Sequence, residues 1–250
     1  MKEAQNDNKT HFWQIRSKHY DKLFWVNDTG YLQLIKKMGG FSKSDIVLDV
    51  GSGTGVVARY IQNSVKHIMC IDISSSMLSR GKWNGMSLIK WDISERIFVD
   101  NLFDKIVARM VFHHITNGLD RVLVRCHDLL KKGGKLIVAE GVPPSDDEDV
   151  VKWYSDMFKL KEERVTFTEN DLSSVLNNTG FRNIKKVLHL NENFSIRNWL
   201  VNSGLDNRCQ EKIFNMHLNA NKKIKELYNM RFKGNDCIVT TKNLILIASK

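Results

Sequence analysis

No apolar run in the chain approaches the length of a membrane span, which excludes an integral membrane helix. The four cysteines (Cys70, Cys126, Cys209 and Cys237) stand far apart and form no C-x-x-C pair. That spacing excludes a thiolate zinc site, leaves no metal site expected, and fits reduced thiols in a cytoplasmic protein. Cys70 and Cys126 read as small buried hydrophobes. The first ten residues, MKEAQNDNKT, are polar and lack the apolar stretch of a secretory leader. Internal repeats and low-complexity tracts are absent as well. Acidic residues are in deficit: 28 Asp and Glu face 38 Lys and Arg, a net charge of +10 and a pI near 9.4. Between Leu205 and Lys250 nine basic residues meet four acidic ones, so about half of the excess sits in the last fifth of the chain. Such a balance favours anionic partners (nucleic acid, acidic lipid, or a phosphorylated or carboxylated small molecule), with a solvated basic face as the alternative.

With 250 residues and 42% hydrophobic content, the chain can bury the core of one α/β domain with an elaboration. Its organising stretch is IVLDVGSGTGVVARY, Ile46 to Tyr60. A short β-branched run reads as a buried parallel strand, three glycines at alternate positions (Gly51, Gly53, Gly55) as a sharp turn, and the apolar segment beyond as a helix. Thr54 is the expected cap of that helix. Dinucleotide folds want G-x-G-x-x-G, so that a pyrophosphate sits on the helix N-terminus. Here the third glycine comes one residue early and Asp49 precedes the first by two. That shape suits a ligand bearing an ammonium and a sulfonium rather than two phosphates.

Two further apolar runs end in an acid. KHIMCIDIS, Lys66 to Ser74, places Asp72 17 positions after Gly55, where a βαβ unit puts the tip of its second strand. A carboxylate there can accept from both ribose hydroxyls, or cap the next helix. MSLIKWDIS, Met86 to Ser94, ends in Asp92, suited to an exocyclic amine of adenine, with Ile73 and Ile93 able to sandwich the ring. Ile106 to Ala108 form a fourth strand. The following helix closes at Lys131–Gly134. KLIVAEGVPP is a fifth strand, Phe167 to Leu190 a helix and a sixth strand, and Cys237 to Ser249 the last strand or hairpin. His11 to Met38 reads as one aromatic-rich helical segment that packs on the sheet or folds over the glycine turn, bringing Arg16 and Tyr20 to the ligand. Asn193 to Asn235 reads as helical and is longer than a bare connection needs. Strands every 20 to 30 residues with helices between them give a doubly wound parallel sheet.

The ordered set VLDVGSGTG, CIDIS with Met77, WDIS, FDKIVARMVFHHI and LLKKGGKLIVAEG resembles class I S-adenosylmethionine-dependent methyltransferases. The likeness is to the small-molecule branch around ubiquinone and menaquinone biosynthesis, and covers Ile46 to about Val142. It implies an α/β, Rossmann-like, doubly wound seven-stranded sheet, from whose minimal form the segment Asn193 to Asn235, read as a helical cap inserted before the last strand, departs. On that reading residues 1–40 are an N-terminal lid, 41–192 with 236–250 the cofactor-binding domain, and 193–235 the substrate cap. It further implies that Asp49, Gly51, Ser52, Gly53, Thr54 and Gly55 hold the methionine part of the cofactor. Asp72 takes the ribose, Ile73 and Met77 pack the adenine, and Asp92 with Ile93 line its amine edge. The backbone around Arg109 faces the methionine amino group and the sulfonium.

Methyl transfer from a sulfonium asks the protein for orientation and removal of a proton. His113 and His114, just past the fourth strand, are the candidates for a base, though one of them can equally be packing. An anionic oxygen nucleophile needs no base but does need cations, for which Arg16, Arg109 and Arg197 are candidates, with Trp199 and Leu200 as an apolar wall or core. The reading is a methyltransferase acting on an O or N atom of a small anionic metabolite. RNA or protein as acceptor is the alternative, against which ARMV stands where base-amine enzymes carry Asn/Asp-Pro-Pro-aromatic. A cofactor-binding partner subunit without catalysis is a third possibility.

Overall fold

The computed structural model describes residues 11–95 and 99–250. The polar stretch 1–10, with its part of the expected lid, lies outside the described residues. A helix over residues 11–17 (α1) is followed by two single 3-10 turns and by α2 (Thr29–Gly39). The continuous helix expected over His11 to Met38 is therefore broken. Asp28 is the reason: its Oδ1 accepts from the N–H of Tyr31 at 3.0 Å, so it starts α2 as a cap instead of continuing a helix.

The chain then alternates: β1 (Ile46–Val50), α3 (Val56–Ile61), β2 (His67–Asp72), α4 (Ser75–Leu78), β3 (Ser87–Lys90), β4 (Phe103–Arg109), α5 (Leu119–Leu129), β5 (Leu130–Val142), α6 (Glu148–Lys159), α7 (Glu169–Asn178) and β6 (Arg182–Ser195). Three short helices follow, α8 (Ile196–Val201), α9 (Asn207–Leu218) and α10 (Lys222–Leu227), and then the hairpin β7 (Arg231–Lys233) and β8 (Asp236–Ser249). The sheet order is β3-β2-β1-β4-β5-β8-β6, with β7 added to β8. The first five strands run parallel, and β8 lies antiparallel between β5 and β6. Order reverses between β1 and β4, and a ligand crevice belongs at the carboxyl edge there.

The doubly wound expectation holds, with one strand more than the seven expected, because Arg231–Lys233 pairs with the start of β8. Two boundaries differ. The turn expected at Lys131–Gly134 lies inside β5, and Lys131 Nζ reaches both carboxylate oxygens of Asp104 on β4 at 2.8 Å rather than closing α5. β3 stops at Lys90, and β6 runs five residues past Leu190.

Successive residues of the central strands enter opposite cores. Leu48, Ile106, Leu136 and Leu246 join α5 and α7, whereas Val47, Val107, Ile137 and Ile245 join α2 and α3. Both faces of the sheet are covered, which is why its strands read as unbroken apolar runs. A third core lies apart from these two. Leu23 and Val26 pack there with Val150 and Met157 of α6 and with Ile196, Leu200, Ile213 and Ile224 of α8 to α10. Residues 11–28 and 196–228 are thus joined through apolar contact. Cys70, Cys126 and Cys237 are buried and all four thiols are free.

Candidate active site

At the carboxyl edge a groove of about 750 Å³ runs over the tips of β1, β2 and β4. Gly51, Gly53 and Gly55 all hold left-handed backbone, with φ of +62°, +57° and +78°, a conformation natural only to glycine. What each glycine makes room for differs. A Cβ on Gly51 would lie 2.4 Å from Val111, and one on Gly55 2.7 Å from Trp83, so these two positions are small to let the protein pack. Gly53 faces the groove beside Met77.

Asp72 fastens the turn to the tip of β2. Its Oδ2 accepts from Gly53 N–H at 2.9 Å and its Oδ1 from Ser74 N–H at 2.8 Å, while the carboxylate borders the groove. Ile73, Met77, Asp92, Ile93 and Arg109 border the same groove. Ile73 is exposed and Ile93 buried, so one side chain stands free and the other is rooted in the core.

Four of the expected cofactor residues do not border the groove. Ser52 is buried, its N–H donating to Ile71 O at 3.0 Å. Gly55, not Thr54, is the cap residue of α3, and Thr54 Oγ1 instead donates to Asp21 Oδ1 at 2.6 Å. Asp49 lies beneath the turn, 2% exposed, with Oδ2 lacking any partner among the described residues. Burial above all pushes its carboxyl up to about 7, against the lowering effect of the Ala58 N–H. The sign follows: unfolded, the group ionises near 3.8, so the ligand-free fold loses stability as pH rises from about 4 through about 7. Asp49→Asn is expected to flatten that dependence and to stabilise the ligand-free protein at neutral pH by a few kcal/mol at most, a contribution that chemical denaturation at several pH values will measure.

Beyond β4 the backbone turns sharply. Met110 is left-handed at φ +56°, held by its N–H on Ala139 O at 2.8 Å, and the 3-10 turn Phe112–His114 follows. A non-glycine residue in that conformation costs about 1–2 kcal/mol, and such strain is concentrated at functional sites. Here it swings His113 and His114 across the sheet edge, their ring centroids 4.0 Å apart. His113 Nδ1 lies 2.6 Å from Glu140 Oε2. Burial first, then Arg164, keeps the His113 imidazole well below its usual value; for His114 it is burial, then His113.

A second, smaller cavity of about 110 Å³ opens on the far side of this turn, and Trp13, Tyr20, Met110, His114 and Glu162 border both spaces. On one wall of the small cavity three cations surround the acid Glu162. Arg16 Nη1 donates to Glu162 Oε2 at 2.8 Å, Lys161 contacts the same oxygen, and Arg164 lies 3.6 Å from Oε1. Burial acts to raise the Glu162 carboxyl, but Lys161 and Arg16 together hold it well below the usual carboxylate range. Burial, then Arg16, brings the Lys161 ammonium down to about 7. Four buried donors on this wall have no acceptor among the described residues: Arg16 Nε, Arg164 Nη2, Tyr31 OH and Tyr228 OH. His113, His114 and Glu162 each bring a donor atom within 4.8 Å of the others, but the surrounding cations make this a poor place for a metal ion.

Arg16 lines the small cavity and Tyr20 borders both spaces, whereas two other arginines are committed elsewhere. Arg109 turns its guanidinium onto the carbonyls of Val26 and Trp25, at 3.0 and 2.8 Å, and anchors the N-terminal segment. Arg197 bonds Asn235 O at 2.8 Å, stacks on Phe214 and borders neither space, so the structure overturns it as a substrate residue. Trp199 lines the small cavity and Leu200 is core. Lys161, Glu162, Arg164 and Glu140 were missed. The run KLKEER reads as a solvated charged face, but Glu140 carried a signal, since it too ends an apolar strand in an acid.

Residues 48–138 match the methyltransferase-domain family. Phosphoethanolamine N-methyltransferase 2 of Caenorhabditis elegans is 30% identical over 194 residues, covering 71% of this chain and 43% of that protein. Demethylmenaquinone methyltransferase of Thermotoga maritima is 34% identical over 119 residues, 46% of this chain and 51% of its own. The chain spans about half the length of these curated relatives. Among solved structures, the YcgJ protein of Bacillus subtilis superposes with a TM-score of 0.76 at 15% identity, covering 89% of this chain and 98% of that one, which establishes a shared fold. The glycine turn, the strand-tip acids and these matches together identify residues 48–138 as a methyltransferase domain, similar to those of menaquinone biosynthesis.

Proposed function

We propose that the chain is an S-adenosylmethionine-dependent methyltransferase that methylates an O or N atom of a small molecule bearing an anionic group. The single observation that supports this most is the pairing of a strand-tip groove with a small cavity whose buried guanidinium and phenol donors find no acceptor among the described residues. Unpaired buried donors cost free energy, and a carboxylate or phosphate on the acceptor would satisfy them.

The groove residues suit the cofactor. Asp72 has acceptor capacity left for the ribose, Ile73, Met77 and Ile93 offer apolar faces to adenine, and Asp92 an acceptor for its amine. Gly53 permits close approach, and Asp49 beneath the turn, whose Oδ2 has no partner among the described residues, answers a cationic ligand above it. When bound, the sulfonium supplies an activated methyl group. The chain's own residues orient the acceptor and keep the junction dry: Trp13 packs edge-on to His114 at 4.9 Å, and Tyr20, Tyr154, Phe158 and Trp199 line the small cavity beside its charged groups. On this reading residues 1–40 act as lid and 193–235 as cap. The free thiols and the lack, among the described residues, of any helix able to cross a membrane are consistent with a cytoplasmic enzyme.

The test is methyl transfer from labelled cofactor to panels of phosphorylated, carboxylated and neutral small amines and alcohols. Arg164→Met is expected to raise KM for the anionic acceptor at least about tenfold and leave a neutral analogue unaffected. Affinity for the anionic acceptor should fall as pH rises through about 7, because the Lys161 ammonium gives up its proton there. Equal turnover of neutral and anionic acceptors by the parent enzyme would remove the substrate class. Salt-sensitive retention on heparin or RNA would point instead to the nucleic-acid alternative.

A further inference from the structure

We infer that Glu140 is a positioning residue that fixes His113 in the Nδ1–H tautomer, leaving Nε2 as the proton acceptor facing the small cavity; this rests on the methyltransferase reading. Glu140 is fully buried at the end of β5 and does not itself line the cavity. Its two oxygens are separately employed. Oε1 accepts the backbone N–H groups of Val111 and Phe112 at 2.9 and 2.7 Å, and Oε2 meets His113 Nδ1 at 2.6 Å.

Two backbone donors on one oxygen favour the ionised carboxylate, despite the burial that raises it. A carboxylate can only accept, so Nδ1 must be the donor. In a neutral imidazole that leaves Nε2 with a lone pair. The carboxylate also stabilises the imidazolium formed when Nε2 takes a proton, as in the serine-protease arrangement of acid, histidine and nucleophile. In the transfer step the acceptor heteroatom bonds to the methyl carbon and its proton moves to His113 Nε2. The electron pair of the broken carbon–sulfur bond stays on sulfur. The anionic group of the acceptor is then a handle, and the methylated atom a separate N–H or O–H. His114, whose ring nitrogens receive no such carboxylate, packs against His113 and Trp13.

Glu140→Gln separates this role from simple packing. Val111 and Phe112 still require an acceptor, so they hold the amide oxygen and turn the amide NH₂ toward His113. Nδ1 must then accept, and the proton shifts to Nε2. In 15N spectra of histidine-labelled protein, His113 should be the Nδ1–H tautomer in the parent and the Nε2–H tautomer in E140Q. S-adenosylhomocysteine affinity should be unchanged, and turnover should fall about 10²-fold or more. The other groups around the ring (His114, Glu162, Arg164, Lys161 and Arg16) are intact in E140Q, so a merely structural role would move stability but not the tautomer.

An Nε2–H tautomer in the parent overturns the inference, whether or not E140Q folds. So does an E140Q enzyme as active as its parent. A parent with the expected tautomer that transfers no methyl group to any acceptor would sink the methyltransferase reading and leave the positioning intact.

Discussion

Asp72→Ala is expected to weaken S-adenosylhomocysteine binding by about 10²- to 10⁴-fold. The carboxylate is proposed to accept from two ribose hydroxyls, and hydrogen bonds to a charged group contribute about 1.5–3 kcal/mol each. A second loss adds to this. The same oxygens hold Gly53 N–H and Ser74 N–H, so alanine frees the middle of the glycine turn from the tip of β2. Calorimetry reads the affinity, and a thermal melt of the ligand-free variant separates a loosened turn from a lost ligand contact. Asp72→Asn, which keeps one acceptor oxygen, should fall between the two. Full affinity in the alanine variant would mean that the ribose does not sit at this strand tip.

The second large effect is on stability. Glu162 is the one acid among Arg16, Lys161 and Arg164 on the small-cavity wall, and it is itself buried. Glu162→Ala is expected to cost about 3–5 kcal/mol, the usual consequence of leaving buried charge uncompensated. Lys161 can relieve its share by shedding a proton, but the arginines cannot. Their uncompensated charge should make the variant responsive to inorganic phosphate or sulfate, with a melting temperature that recovers as the anion is added. Loss of stability without anion rescue would show that the guanidinium groups relax into solvent instead of waiting for an acceptor.

The cofactor side of this protein was far more legible in its sequence than the acceptor side. Asp72, Asp92, Gly51 and Gly53 lie within short segments whose strand-turn-helix pattern fixes their place at the sheet edge, so spacing alone located them. Thr54 misled because a hydroxyl beside a helix start looks like a cap, and only the fold brings Asp21, 33 positions away, to claim it. The small cavity is assembled from residues 13–31, 110–114, 141–142, 154–164 and 191–243, whose meeting depends on the third core and leaves no local periodicity. Arg197 and Arg164 are equally charged on paper. Burial against Phe158 and Tyr154 sets Arg164 at the cavity, while a surface carbonyl and Phe214 hold Arg197 away.

The placement of β8 bears on how the chain reaches this state. Both of its sheet neighbours, β5 and β6, precede it, and until it slides between them β5 is paired on its β4 side alone and β6 has no strand partner among the described residues. Cys237 and Val239 at its start complete the third core, and Lys250 just past its end donates its N–H to Gly134 O at 3.0 Å. On a ribosome, the nascent chain would therefore hold an open seam with two unpaired strand edges until β8 itself emerges. Folding should then finish late, through contacts distant in sequence, and be slowest and most prone to aggregation at that step.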